Sequence, residues 1–426
     1  MFTPEDNETL TQVGRNAPMG ELMRRYWMPF LLREELPRPD CPPLRVTLLG
    51  EQFVAFRDTK GRVGLLDRFC PHRRTDLFFG RNEECGLRCV YHGWKFDVDG
   101  NVLDMPAEPA DTPLKREVKA KAYPVFEAGG LIWAYLGDPV HRPPRPPELE
   151  WTLVPDSHRF VSKRLKENNY AQAVEGGIDS SHVSMLHSRL DPEKSDRPFR
   201  ERQISINKNV PYLASDTSPK FFVRETSYGM VIGARRSAGD DAYYWRITQF
   251  LLPFYTMIAR TLEDGPILGH AWTPIDDHNT WTFTMTWNPL RPLADHERDP
   301  SAVVHAPVRD DGSFGTVLNR ANGYGLDRDV QRLHSATGIE GIGMQDSAIQ
   351  ESMGPIVDRS RESLASSDAA IVAFRRLMLR QARDLRAGKV PAAPAHPEWY
   401  RVRSAGIVLK KGIDFQQGAA HWLALS

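Results

Sequence analysis

The chain has 426 residues, with 55 basic and 55 acidic side chains, 41% hydrophobic and 26% charged residues. The cancelled charge offers no field for nucleic acid or an anionic membrane surface, and the length exceeds one ordinary core, so two domains are expected. No apolar run approaches the ~20 residues that cross a bilayer, and the opening MFTPEDNETL is acidic rather than basic-then-apolar, which points to a cytoplasmic protein without a secretory signal.

From about residue 44 to 137 the pattern is one of strands and tight turns. Leu44 to Leu49 and Phe53 to Phe56 flank Gly50, and Trp94 to Val98 runs into Asp99-Gly100, a dipeptide suited to a hairpin turn. This predicts a compact antiparallel β domain. Pro139, Pro143, Pro144, Pro146 and Pro147 then crowd one short stretch, and because proline fixes φ and removes a donor, the stretch reads as a stiff linker. Beyond it helices and strands mix. Thr280 to Trp287 alternates threonine with Trp281, Phe283, Met285 and Trp287, a half-buried strand with its apolar face toward a core. Residues 291 to 318 are polar and read as an exposed excursion. Ile371, Phe374, Met378, Ala382 and Leu385 share one helical face, with Ser366 or Ser367 as the cap and Gly388 as the stop.

Four cysteines, Cys41, Cys70, Cys85 and Cys89, are too few for a disulfide scaffold in a chain this long. Cys70-Pro71-His72 and Cys89-Val90-Tyr91-His92 each offer a thiolate and an imidazole on one loop. Two cysteines on one iron and two histidines on the other make a mixed-ligand 2Fe-2S cluster, whose neutral imidazoles raise its potential. A structural zinc site uses the same four ligands, and spacing alone does not exclude it. Cys85 has no partner in the pattern and reads as a small buried residue.

Further on, Asp179, His182 and His187 fall within one short segment. Asp179 and His182 share a helical face, whereas His187 lies about 140° further round, so both imidazoles reach one ion only if the helix is distorted or the ion sits off its side. Two histidines and one carboxylate with open positions form the facial triad of non-haem iron(II) oxygenases.

CPHR on the first cysteine loop, YHGWKFDVDG on the second, NYAQAVEGGIDSSHVSMLH, the early TQVGRNAPMGELMRRYWMPF and the late GIEGIGMQDSAIQESMGPIVDRS resemble the Rieske non-haem iron ring-hydroxylating oxygenases, in their phthalate dioxygenase branch. The resemblance runs over nearly the whole chain. It implies an α+β protein: an N-terminal helical segment (1–26) packing on the catalytic domain, an antiparallel β Rieske domain (27–138), the proline-rich linker (139–150), and a larger helix-grip catalytic domain (151–426). It also implies that Cys70, His72, Cys89 and His92 hold the 2Fe-2S cluster and that His182, His187 and a distant carboxylate hold a mononuclear Fe(II). Asp346 matches the carboxylate's place, with Glu351 and Asp358 as nearby competitors. Asp179 is then not a ligand but orients His182, and in the family it also touches a cluster histidine, here His92, of a neighbouring subunit. A homotrimer or stacked hexamer follows, since one chain alone does not complete that circuit.

The implied activity is O2-dependent hydroxylation, chiefly cis-dihydroxylation, of a small aromatic substrate such as phthalate, in the breakdown of aromatic compounds. The alternative is an O- or N-demethylating monooxygenase with the same metal sites. No nucleotide-binding glycine fingerprint appears, so NADH is expected to reduce a separate flavin and iron–sulfur reductase. A lone Rieske carrier would not need the second domain, and a zinc-binding protein leaves His182, His187 and Asp346 without purpose. Arg73-Arg74-Thr75-Asp76 is more charged than in many relatives, which bears on potential or subunit contacts. For an aromatic carboxylate, Arg246 within YYWRITQF is the first candidate anchor, followed by Arg235 and Arg236.

Overall fold

The computed structural model describes residues 2–190, 210–259, 265–301 and 304–425. The chain forms two units: Val13–Pro146, and Met1–Gln12 together with Pro147–Ser426. The expected N-terminal segment 1–26 is therefore divided. Helix α1 (Pro4–Thr11), capped by Thr3, belongs with the larger unit, where Tyr170 Oη donates to the Leu10 carbonyl and Asn7 Nδ2 to the Val357 carbonyl. The next helix, Pro18–Met23, places Met19, Leu22 and Met23 in the smaller unit's interior, and Arg24 pairs there with Glu51. The expected linker 139–150 is also shorter at its end. Glu148 and Glu150 are buried in the larger unit, paired with Arg401 and Arg403.

The smaller unit is built from three antiparallel sheets. β1 (Met28–Leu32) pairs with β11 (Leu131–Ala134), which also pairs with β10 (Val125–Ala128). β2 (Leu44–Leu48), β3 (Glu51–Arg57), β4 (Val63–Asp67) and β9 (Ala122–Tyr123) make a second sheet. Leu49 and Gly50 both take positive φ between β2 and β3, as a two-residue hairpin turn requires. The third sheet, β5 (Arg81–Glu83), β6 (Gly86–Arg88), β7 (Lys95–Phe96) and β8 (Val102–Asp104), carries the second cysteine loop between β6 and β7. Cys70 and Cys89 are buried in one core with Val54, Phe56, Leu66, Leu87 and Phe96.

The larger unit is organised around an eight-stranded antiparallel sheet: β12 (Arg159–Lys166), β18 (Thr280–Trp287), β17 (Ile267–Pro274), β16 (Tyr255–Ile258), β15 (Ala242–Leu251), β14 (Gly229–Ser237) and β13 (Lys220–Thr226), with β19 (Ala405–Lys410) also on β15. β18 keeps its expected alternation but is not half-exposed: Thr280, Thr282 and Thr284 are as buried as Phe283 and Trp287. Its threonine face lies beside Arg164, Lys166, His270 and Trp272 of the adjacent strands, so that side of the sheet is a polar interior. The stretch 291–318 is not wholly exposed either, since Val304, His305 and Ala306 are buried.

Helix α2 (Tyr170–Ile178) crosses this interior, with Asn169 accepting from the Ala171 amide as its cap. Its two glycines permit close packing: a Cβ on Gly177 would stand 2.8 Å from Thr256 Oγ1. Four further helices matter below: α3 (Val183–Leu186), α4 (Val210–Ser215), α5 (Ile342–Ser352) and α6 (Ala369–Arg386). In α6, Phe374, Met378 and Ala382 are buried as the periodicity predicts, but Asp368 occupies the cap position and the two serines form the 3-10 turn before it.

Glu175 ties α2 to the rest. It is buried and accepts from Arg359 Nε (3.0 Å) and Arg375 Nε (2.8 Å). Burial raises its carboxyl pKa, but the two guanidiniums outweigh that and hold it below the ordinary 4.5. Its stabilisation is therefore complete above that value and is lost as pH falls through the lowered one. Glu175→Gln strands the buried Arg359, while Arg375 keeps Glu362, and is expected to cost ~3–5 kcal/mol, read as a fall in the denaturation midpoint. An unchanged midpoint contradicts this role.

Candidate active site

In the smaller unit the two cysteine loops share one geometry. Cys70 N donates to Thr75 O and Arg74 N to Cys70 O; Cys89 N donates to Trp94 O and Gly93 N to Cys89 O. Both loops turn through positive φ, at Arg74 and at Gly93, where a side chain on the glycine would strike Pro106 at 2.4 Å. The result sorts the donors by type. The thiols of Cys70 and Cys89 lie close enough to perturb each other, which pushes Cys70 up and Cys89 down. The imidazoles of His72 and His92 lie with centroids 4.5 Å apart, and Trp94 stacks on His72 at 4.4 Å.

Among the described residues, one set of three or more such donors lies within 4.8 Å of one another, and it is elsewhere: His182, His187 and Asp346. The four loop donors thus do not converge on a point as a tetrahedral zinc needs. A thiol pair and a separate imidazole pair fit a two-iron, two-sulfide cluster with one iron per pair.

In the larger unit, the sequence segment around His182 is not one helix. Helix α2 stops at Ile178, and Asp179 takes an extended conformation with Oδ1 accepting from the Ser181 amide at 2.7 Å. That local hydrogen bond competes with the helical ladder. His182 and His187 then flank the short helix α3, and the break brings both rings to the same side. His182 Nε2 lies 3.6 Å and His187 Nε2 3.4 Å from Asp346 Oδ1, which α5 supplies. The opposite ring nitrogens are held as well: His182 Nδ1 is 3.2 Å from Asp179 Oδ2, and His187 Nδ1 is 2.7 Å from Gln345 Oε1. Burial raises the Asp346 pKa, but the histidines and Lys166 outweigh it and hold the carboxyl well below the usual range. Two imidazoles, each oriented from behind, and one carboxylate fit a divalent iron.

Of the competing carboxylates, Glu351 accepts from Tyr324 Oη (2.6 Å) and Asp358 caps the 3-10 turn Arg359–Arg361. Gln345 is absent from the sequence reading. Its partner His187 is 158 residues away, so no local spacing reveals it. Its amide is fixed by donation to the Ile339 carbonyl at 2.9 Å.

A cavity of about 130 Å³ opens on these ligands, lined also by Leu213 of α4, Tyr244, Ile258, Leu268, His270 and Trp272. It is comparable to the ~150 Å³ of an engineered apolar cavity that takes up benzene. His270 is held neutral, because burial and the nearby Arg164 push its pKa well down. Arg246 lines the same cavity and spends one donor on Ser180 Oγ at 3.2 Å. Arg235 and Arg236 do not line it. Arg235 lies over the Tyr243 ring, and Arg236 donates to Asp216 O, Ser180 O and Ser184 Oγ.

A paired-thiol, paired-imidazole set on a β domain and a His-His-Asp set beside the sheet of the larger unit offer the donors that a mixed-ligand 2Fe-2S cluster and a non-haem iron centre use. Residues 26–124 match the family model of the Rieske 2Fe-2S domain, and residues 134–424 match that of the LigXa C-terminal domain like family. The sequence is 39% identical over 99% of this chain to the phthalate 4,5-dioxygenase oxygenase subunit of Pseudomonas putida, covering 96% of that protein. It is 31% identical over 92% to the 5,5'-dehydrodivanillate O-demethylase oxygenase subunit of Sphingobium sp. (strain NBRC 103272 / SYK-6), covering 83% of it. The fold is also that of dicamba monooxygenase bound to dicamba, with a TM-score of 0.58 at 18% identity, over 86% of this chain and 98% of the other. The chain belongs to the Rieske non-haem iron oxygenases, in the phthalate dioxygenase branch. It is the oxygenase component of such a system, carrying a 2Fe-2S cluster and a non-haem iron, using O2 and drawing electrons from a separate reductase. No helix among the described residues is long and apolar enough to cross a membrane.

Proposed function

We propose that this oxygenase hydroxylates a small aromatic carboxylate, by cis-dihydroxylation of its ring, with electrons from NADH through a flavin and iron–sulfur reductase. Cys70, His72, Cys89 and His92 hold the cluster; His182, His187 and Asp346 hold the mononuclear iron. Held there, the cluster would supply single-electron storage and transfer, and the iron would supply the open positions that O2 chemistry requires. Asp179 fixes the His182 ring and links it to His92 of a neighbouring subunit, in a trimer or a stacked pair of trimers working in the cytoplasm.

The observation that carries the substrate class is Arg246. Among the described residues it has no carboxylate partner, yet its guanidinium lines the cavity that holds the iron ligands. Burial lowers its pKa despite the more distant charges of Asp179 and Asp346, and a buried guanidinium without an ion-pair partner is costly, so a carboxylate arriving there makes up a missing pair. The named substrate of the Pseudomonas putida relative, phthalate, has that chemistry. The aromatic and aliphatic wall of Tyr244, Trp272, Ile258 and Leu268 takes the ring. O-demethylation of a substituted aromatic acid is the second reading, supported by the O-demethylase relative.

The test is substrate-dependent O2 uptake with NADH and a reductase over a panel of aromatic acids, with products identified. A cis-dihydrodiol supports dihydroxylation, and release of formaldehyde supports demethylation. Arg246→Met is expected to raise KM for carboxylates about 10- to 100-fold, the worth of a charge-assisted hydrogen bond. An unchanged KM contradicts the anchor.

A further inference from the structure

Gln350 is a polar residue at the cavity that holds no part of the metal site. It lies one helical turn after Asp346 on α5 and lines the same cavity. Its Oε1 accepts from Lys166 Nζ, on β12, and Lys166 is fully buried against the Trp272 ring. Burial and the neighbouring Arg164 lower its pKa, while the charges of Asp346 and Glu351 favour the ammonium. An ammonium donates and never accepts, which fixes the carboxamide: oxygen toward Lys166, nitrogen away from it. The nitrogen has no partner among the described residues. It occupies a notch in α2 that only glycine leaves open, since a Cβ on Gly176 would stand 1.8 Å from it. Gly176 is itself part of the cavity wall.

We infer that Gln350 determines specificity, its Nε2 donating to an acceptor oxygen that the substrate carries in addition to the carboxylate held by Arg246, with Lys166 as the positioning residue. This rests on the cavity being the substrate pocket for an aromatic carboxylate. Its consequence is a preference for benzoates bearing a second oxygen substituent over benzoate itself. A purely structural tie between β12 and α5 would need only Oε1 and would leave the nitrogen free of consequence.

The experiment measures equilibrium dissociation constants of benzoate and of its hydroxy- and carboxy-derivatives at each ring position, by titration calorimetry on the iron-loaded enzyme. Wild type, Gln350→Glu and Arg246→Met are compared. Gln350→Glu keeps an acceptor for Lys166, so thermal stability and iron content serve as controls for folding, while its free oxygen can no longer donate. Wild type is expected to bind at least one substituted benzoate about tenfold more tightly than benzoate, and Gln350→Glu to erase that preference. Should Gln350→Glu misfold, Lys166→Met, which frees the amide to flip, is expected to reduce the same preference. Retention of the preference in these variants overturns the inference while leaving the Arg246 reading intact. Equal binding of benzoate and all derivatives by wild type also overturns it. Failure of every aromatic carboxylate to bind wild type removes the substrate reading and this inference together.

Discussion

Asp346→Ala is expected to yield a red-brown protein that has lost its mononuclear iron alone. Iron should fall from about three to about two per chain with labile sulfide still near two, and turnover should fall at least ~1000-fold. The reason is electrostatic as much as geometric. Asp346 is the one anion in its donor set, 3.4 and 3.6 Å from the two Nε2 atoms. It also sits in the field of Arg164, Lys166 and Arg246. Without it, a dication would have to bind two neutral imidazoles facing three fixed positive charges. Glu351→Gln is the control, because that carboxylate is engaged by Tyr324. If Asp346→Ala keeps its third iron and Glu351→Gln loses it, the ligand set is wrong.

Asp179→Asn should behave in the opposite way, with both centres filled and the circuit between them broken. Asp179 contributes no atom to the donor set. It holds His182 Nδ1 at 3.2 Å through Oδ2 while Oδ1 accepts from the Ser181 amide. Asparagine keeps the size and the turn but loses the charge that favours a protonated Nδ1 facing it. Partners behind a metal-bound imidazole are worth 10- to 100-fold in activity or affinity, and an electron-bridging role adds to that. The expected result is a chemically reducible cluster whose reoxidation by O2 and substrate slows at least ~100-fold, with iron and sulfide unchanged. The measurement is single-turnover absorbance of the pre-reduced protein, and normal reoxidation would sink the bridging role.

Much of this site was legible because metal chemistry leaves its mark in residue type and order. Cysteine and histidine on each of two loops suggested the mixed ligation, and the structure adds what spacing could not, the sorting of thiols with thiols and imidazoles with imidazoles. The helix geometry around His182 and His187 required either a distortion or an ion off the helix's side, and the Asp179 turn breaks the helix. What stayed hidden depends on partners far apart in sequence. Gln345 behind His187, and Lys166 against Gln350, are contacts that α5 makes with segments more than 150 residues away. That polar face was itself misjudged, since alternation alone cannot tell a threonine facing water from one facing a buried active site. Division of the first 26 residues between two units was equally invisible, because α1 and the helix after it differ in which neighbours they meet, not in pattern.

The most direct test of the whole account is to assay iron, acid-labile sulfide and zinc on one aerobically purified sample and record its visible spectrum. The account predicts a red-brown protein with about three irons and two sulfides per chain and no stoichiometric zinc. A colourless protein from iron-sufficient cells, holding zinc and no sulfide, would contradict it.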